Sequence, residues 1–115
     1  MGNKVKKHYV CDVAKLKSLR SIGWERTVDK SVIQYFLIYR NNNIFSYLNR
    51  CPHTGVNLDW VPHQFLDKNN KLIQCATHGA LFNIEDGYCI SGPCLGDRLQ
   101  KVENVIIDDH IYLIL

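Results

Sequence analysis

Short apolar segments separated by turn-forming residues recur along the whole chain. Residues 32–39 are rich in β-branched and aromatic side chains, and residues 44–49 alternate with a two-residue period, so both segments are predicted to be strands. Asn41-Asn42-Asn43 lies between them, and asparagine tolerates the left-handed conformation that a tight turn requires. Together these segments predict a β-hairpin.

The second half of the chain repeats this alternation of strand and turn. Turn signals occur at Asp67-Lys68-Asn69-Asn70, at Asp86-Gly87 and at Asp108-Asp109-His110. The strands predicted around these turns cover 71–75, 81–84, 88–90, 102–107 and 111–115. Short strands with frequent turns are typical of an all-β sandwich or barrel.

A helix signal is found at one place. Asp12 is a suitable N-cap residue, and the apolar residues Val13, Leu16 and Leu19 follow it at helical spacing. The segment 12–19 is therefore a candidate helix, although a single turn or a loop would also fit so short a pattern.

Composition and charge narrow the class of protein. The 115 residues, 46% of them hydrophobic, suffice for one domain, 1–115, with a modest core. A net charge of +3, with scattered Lys and Arg, does not indicate a nucleic-acid partner. The chain has no apolar run long enough to span a membrane. No apolar stretch follows the N-terminal lysines, so the pattern of a secretory signal is missing. We therefore expect a soluble, cytoplasmic protein.

Two short segments carry the candidate chemistry: Cys51-Pro52-His53-Thr54-Gly55 and Cys75-Ala76-Thr77-His78-Gly79. Each places one thiol and one imidazole close together. Two sulfur and two nitrogen donors suit a [2Fe–2S] cluster in which histidines hold one of the irons. Each segment ends in a glycine, which permits a sharp turn and lets backbone N–H groups approach the cluster.

These two segments resemble the Rieske iron–sulfur family, whose pattern is C-x-H followed, after an intervening segment, by C-x-x-H. The resemblance implies that Cys51 and Cys75 bind one iron and that His53 and His78 bind the other, outer iron. It also implies a Rieske-like antiparallel sheet framework with a small cluster-binding subdomain over about 49–95.

The function implied by the resemblance is that of a small Rieske-type ferredoxin. Such a protein carries single electrons from a reductase to an oxygenase or another terminal enzyme and is not itself an enzyme. Its redox partners would dock at the exposed corner formed by His53 and His78. The segment Ser91-Gly92-Pro93 resembles the proline-bearing segment that covers the cluster in this family, although an ordinary turn would give the same dipeptide.

The resemblance also implies a low reduction potential for the class. High-potential members carry two disulfide-bonded loop cysteines and a Ser and a Tyr that donate hydrogen bonds near the cluster. The matching positions here hold Val56, Thr77, Ala80 and Phe82. Because these residues remove the disulfide or a hydroxyl donor, we expect a potential of about −150 mV, at the low end of the Rieske range.

Other functions remain open. The chain could be the small Rieske subunit of a nitrite-reductase-like or other multicomponent oxidoreductase. Two cysteines and two histidines could also bind structural zinc, although the C-x-H spacing is unusual for a zinc finger. An oxygenase in its own right is disfavoured, because too few residues remain for a second, catalytic iron domain.

The remaining cysteines and aromatic residues are interpreted as structural. Cys11, Cys89 and Cys94 are expected to pack as small buried thiols, although the last two could pair or act as a redox switch. His63 is expected to be a surface or structural residue and Trp60 a core residue. His8 and His110 are expected to be solvated.

Overall fold

The computed structural model describes residues 5–52, 55, 57–59, 61–76 and 79–115. Within these ranges it contains nine strands and one helix. In chain order they are β1 (Lys7–Asp12), α1 (Val13–Leu19), β2 (Ser21–Val28), β3 (Ser31–Arg40), β4 (Asn43–Leu48), β5 (Leu72–Gln74), β6 (Leu81–Asn83), β7 (Cys89–Ser91), β8 (Glu103–Ile107) and β9 (His110–Ile114).

The strands form three antiparallel sheets of three strands each, in the orders β1-β9-β8, β2-β3-β4 and β5-β6-β7. The predicted all-β architecture is therefore confirmed. None of the helical segments in the described ranges has the length and apolar character that crossing a membrane requires.

The first predicted hairpin is present. Arg40 pairs with Asn43 across the β3–β4 turn, which leaves Asn41 and Asn42 as a two-residue connection. Both asparagines have positive φ values, 51° and 64°, the backbone conformation for which asparagine is suited.

The last hairpin differs from its prediction by one residue. Ile107 pairs with His110, so the turn consists of Asp108 and Asp109 alone, with φ values of 51° and 65°. His110 is the first residue of β9 and lies in the sheet, not in the turn.

The short helix is present, but the predicted cap is not made. Asp12 occupies the N-cap position of α1 with an extended backbone, yet its side chain makes no capping hydrogen bond. Its Oδ1 instead accepts a hydrogen bond from the Tyr9 hydroxyl at 2.8 Å and lies 2.6 Å from His110 Nδ1. The carboxylate therefore links β1 to the start of β9.

Strand β3 lies between two apolar cores. Phe36 and Ile38 belong to the larger core, whereas Tyr35 and Leu37 belong to the smaller one. Successive side chains of a strand point to opposite faces, so β3 is buried on both sides. The larger core also contains Cys51 and Cys75, which places the candidate chemistry beside the most buried part of the molecule.

Candidate metal centre

Both cysteines of the candidate site are fully buried and belong to the same core. Cys51 follows β4, and Cys75 follows β5. The structure thus brings the two predicted sulfur ligands into one cluster of side chains. The predicted nitrogen ligands His53 and His78 lie outside the described residues, as do Thr54, Val56, Trp60 and Thr77.

The two cysteine segments adopt matching turns. The N–H of Gly55 donates to the carbonyl of Cys51 at 2.7 Å, and the N–H of Gly79 donates to the carbonyl of Cys75 at 2.8 Å. The two glycines have φ values of 77° and 69°, a region that L side chains rarely adopt. The predicted role of glycine in two sharp turns is confirmed.

The first cysteine loop is closed by Asn49, a buried amide at the end of β4. Its Nδ2 donates to Asp59 Oδ1 at 3.0 Å, and its Oδ1 accepts from the N–H of Leu58 at 2.8 Å. One side chain therefore ties the start of the loop to its end at Leu58 and Asp59. Sequence reasoning missed this residue, and the only signal for it is a polar residue where an apolar strand meets the first cysteine.

The second cysteine loop is bonded directly to the first. The N–H of Ala76 donates to the carbonyl of Leu58 at 2.8 Å. Within the second loop, the N–H of Cys75 donates to the carbonyl of Ala80 at 2.9 Å. These bonds fix the backbone of Cys75 relative to the loop that carries Cys51.

The segment with Gly92 and Pro93 packs against the second cysteine loop. A Cβ atom added to Gly92 would lie 2.8 Å from the Cα of Ala80, and Gly92 has a φ of 103°. The segment that resembles the cluster cover is thus in contact with the second cysteine loop.

The three other cysteines are buried, as predicted. Cys11 lies in the smaller core, and burial raises the pKa of its thiol. Cys89 and Cys94 lie in the larger core, where the Sγ of Cys94 donates to the Sγ of Cys89 at 2.8 Å. Burial, followed by the hydrogen bond to Cys89, raises the pKa of Cys94 to about 12. Cys94 therefore remains protonated at neutral pH.

His63 has a structural role, as predicted. Its Nδ1 accepts a hydrogen bond from the N–H of Gly23 at 2.9 Å, and its carbonyl accepts one from the Ser21 hydroxyl at 2.6 Å. Its backbone also has a positive φ of 68°. These contacts fix the segment between the two cysteine loops to β2.

The residues present fit a cluster that is held by two thiolates and two imidazoles. Two buried cysteines are presented from bonded loops, and the sequence places a histidine inside each glycine turn. Within the described ranges, no three or more His, Cys, Asp or Glu side chains come together as a metal site. The donor set of the two motifs suits a [2Fe–2S] centre with mixed ligands.

A comparison with family models gives one match: the model described as Rieske [2Fe-2S] domain matches residues 6–105. No curated protein matches the chain in sequence. The family match covers both cysteine loops and most of the sheet framework.

Solved structures similar to this chain include ferredoxins. The ferredoxin of carbazole 1,9a-dioxygenase from Nocardioides aromaticivorans IC177 has a TM-score of 0.70 and 18% identity, covering 94% of this chain and 96% of that one. A Sphingomonas yanoikuyae B1 ferredoxin has a TM-score of 0.69 and 20% identity, covering 96% and 99%.

A third similar structure is a complex of reduced oxygenase and oxidized ferredoxin in carbazole 1,9a-dioxygenase. The matched chain has a TM-score of 0.70 and 17% identity, covering 94% of this chain and 92% of that one. At these identities the likenesses establish the fold that the chains share.

Proposed function

Since this chain belongs to the Rieske [2Fe–2S] domain family, we propose that it is a Rieske-type ferredoxin that carries single electrons from a reductase to an oxygenase or another terminal enzyme. Its cofactor is a [2Fe–2S] cluster, and its role is electron transfer. The observation that carries the proposal is the pair of buried cysteines on two bonded loops with matching glycine turns.

We propose four ligands: the sulfur atoms of Cys51 and Cys75 and ring nitrogens of His53 and His78. When bound, the cluster takes up and releases one electron. The chain supplies two thiolates, which balance the 2+ charge of the oxidised core, whereas neutral imidazoles add no charge. The site is then neutral when oxidised, so an added electron meets less repulsion than at a site with four thiolates.

The potential is proposed to lie at the low end of the Rieske range, at about −150 mV. Ala80 and Phe82 are both fully buried, and neither side chain carries a hydrogen-bond donor. Hydrogen bonds to cluster sulfurs raise the potential, so apolar side chains at these positions favour a lower value.

The proposed docking face is the corner that carries His53 and His78. Gly55 and Gly79, which follow these histidines within two residues, and Pro93 are all exposed. A small, partly apolar surface suits the brief encounters of redox proteins. The oxygenase–ferredoxin complex among the similar structures gives this choice of partner its support.

The test is the metal content of the full-length protein after anaerobic, iron-replete expression. We expect two irons and two acid-labile sulfides per chain, a coloured protein and a paramagnetic signal after reduction with dithionite. This signal should be abolished by each of four single substitutions of the proposed ligands: Cys51→Ser, Cys75→Ser, His53→Ala and His78→Ala. Cys11→Ser is the matched control, because Cys11 is buried in the other core.

Two outcomes would contradict the proposal. A colourless protein that binds zinc would replace the electron carrier with a structural site. A clearly positive midpoint potential, measured by protein-film voltammetry on the same preparation, would overturn the assignment to the low-potential group while leaving the cluster in place.

A further inference from the structure

Cys89 and Cys94 lie close enough to react with each other. Their sulfur atoms are 2.8 Å apart, about 0.8 Å longer than a covalent S–S bond. The Cys94 thiol donates to the sulfur of Cys89, whose own thiol donates to the carbonyl of Ser91 at 3.3 Å. The pair lies outside the two motifs that supply the proposed ligands, so the proposed function does not use it.

The backbone of Asp97 holds the two cysteines in this position. Its carbonyl accepts from the N–H of Cys89 at 2.8 Å, and its own N–H donates to the carbonyl of Cys94 at 2.8 Å. The N–H of Leu95 also donates to the carbonyl of Gly92 at 3.2 Å, which closes a turn between the cysteines. Because this loop is already closed, joining the sulfur atoms requires little further ordering of the chain.

The two cysteines are buried, but they lie in an exposed stretch of the chain. Cys89 is 3% exposed and Cys94 is 1% exposed, whereas residues 90–93 and 95–98 are all exposed. A molecule about as small as water needs only a slight opening of this loop to reach the sulfurs. A bulky disulfide such as oxidised glutathione needs a larger one.

We propose that Cys89 and Cys94 form a redox-active dithiol that hydrogen peroxide converts into an intramolecular disulfide. The sulfur of Cys89 attacks the peroxide, so an S–O bond forms, the O–O bond breaks, and a sulfenic acid and one water result. Cys94 then attacks that sulfur, so the S–S bond forms, the S–O bond breaks, and a second water leaves. Two thiols lose two electrons and two protons, and the peroxide gains them.

The hydrogen bond between the thiols assigns these two roles. Cys89 accepts the bond from Cys94, so negative charge that develops on the Cys89 sulfur is stabilised. Cys94 keeps its proton until the sulfenic acid has formed beside it. Cys89 is therefore the first sulfur to be oxidised, and Cys94 resolves the intermediate.

The test uses the full-length protein, purified anaerobically with its metal centre. One sample is treated with hydrogen peroxide, one with oxidised glutathione and one with buffer. All three are denatured and alkylated, then cleaved before Asp86 and Asp97, which releases residues 86–96 with only Cys89 and Cys94 as cysteines. We expect peroxide to abolish alkylation at both cysteines and to lower the mass of the peptide by two hydrogen atoms. Dithiothreitol should reverse both changes, and oxidised glutathione should form the disulfide more slowly than peroxide does.

Two variants separate the roles of the sulfurs. Cys94→Ser should stop the reaction at a Cys89 sulfenic acid, trapped by dimedone, whereas Cys11→Ser should still form the disulfide. The proposal is overturned if peroxide leaves both cysteines fully alkylatable, or if it oxidises each of them separately. Absorbance and paramagnetic resonance of the same samples report the cluster, so a missing cluster would contradict the proposed function without changing this result.

Discussion

Asn49 is a buried polar side chain at the start of the first cysteine loop, and both of its hydrogen-bonding atoms bond to the end of that loop, at Leu58 and Asp59. A buried amide that meets both of its partners contributes to stability, whereas a buried N–H left without an acceptor is costly. The residue therefore connects the end of the β4 strand to the position of Cys51. Its position at the start of the loop explains why a single side chain can close it.

We predict that Asn49→Ala destabilises the fold and weakens the metal centre. The N–H of Leu58 loses its acceptor, which should lower the free energy of unfolding by about 1–3 kcal/mol. Asn104→Ala is the matched control, because Asn104 donates to Ser46 at 2.8 Å and to Ile44, away from the cysteine loops. Denaturant unfolding and iron content should show a loss of stability in both variants and a loss of iron in Asn49→Ala alone. Equal iron loss in both would contradict this role.

Asp12 makes stability depend on pH. The hydrogen bond from Tyr9, followed by that from His110, lowers the pKa of the Asp12 carboxyl in the folded state. Because the pKa is lowered on folding, the ionised Asp12 carboxylate contributes fully to stability above its unfolded-state pKa of about 4. This contribution is lost as the pH falls through the pKa of the folded state. We predict that the melting temperature of the wild type exceeds that of Asp12→Asn at pH 7 and that the difference shrinks below about pH 4.

The control for this pH dependence is Asp29→Asn, an exposed turn residue with a positive φ of 48° that asparagine tolerates. Its melting curve should follow that of the wild type at every pH more closely than Asp12→Asn does. A difference between wild type and Asp12→Asn that stays constant down to pH 2 would show that the Asp12 carboxylate has no such linkage.

At the scale of elements, the features that could be predicted from the sequence are those that depend on residues adjacent in the chain. Asn41, Asn42, Asp108 and Asp109 all adopt positive φ, and the composition of each turn located it to within one residue. Asp12 takes the predicted N-cap position, but its side chain does not cap the helix, because its Oδ1 is bonded to Tyr9 and to His110, which is 98 residues away. Contacts between distant segments, such as this one, depend on strand pairing and leave no local pattern.

The same distinction applies to the candidate site. The two motifs predicted the cysteine positions and the glycine turns, since each is a property of five consecutive residues. The bond from Ala76 to Leu58 was not predictable, because it depends on how the two loops meet. Sequence therefore predicted the donors, whereas the arrangement that holds their loops together required the fold.

The contact between the Gly92 segment and the second cysteine loop gives a test with a built-in control. Gly92 and Gly96 have similar φ values, 103° and 94°, but a Cβ at Gly96 meets nothing within 4 Å. Both alanine variants carry backbone strain of about 1–3 kcal/mol. We predict that Gly92→Ala alone also displaces the second loop and speeds cluster loss to a chelator, measured by the decay of absorbance. Equal rates in the two variants would show that this contact does not protect the centre.

At the scale of the whole molecule, we expect the two cores to differ in how far their stability depends on the metal centre. The larger core contains Cys51 and Cys75, whereas the smaller core is built from residues of α1, β2, β3 and the β1–β9 pair, among them Leu16 and Ile111. Ligands that are fixed by a bound metal couple its binding energy to the folding of the segments that carry them. Segments without ligands can keep their structure when the metal is removed.

We predict that removing the metal affects the molecule unevenly. Hydrogen–deuterium exchange of the chelated protein should lose protection at Ala76 and Gly79, whose N–H groups bond within and between the cysteine loops. Protection should persist in β1 and β9, where Cys11 pairs with Ile111 in the smaller core. Because β3 contributes to both cores, its amides should show intermediate loss. Uniform loss across all strands would instead mean that the metal stabilises one cooperative unit, with the smaller core unable to hold its own sheet.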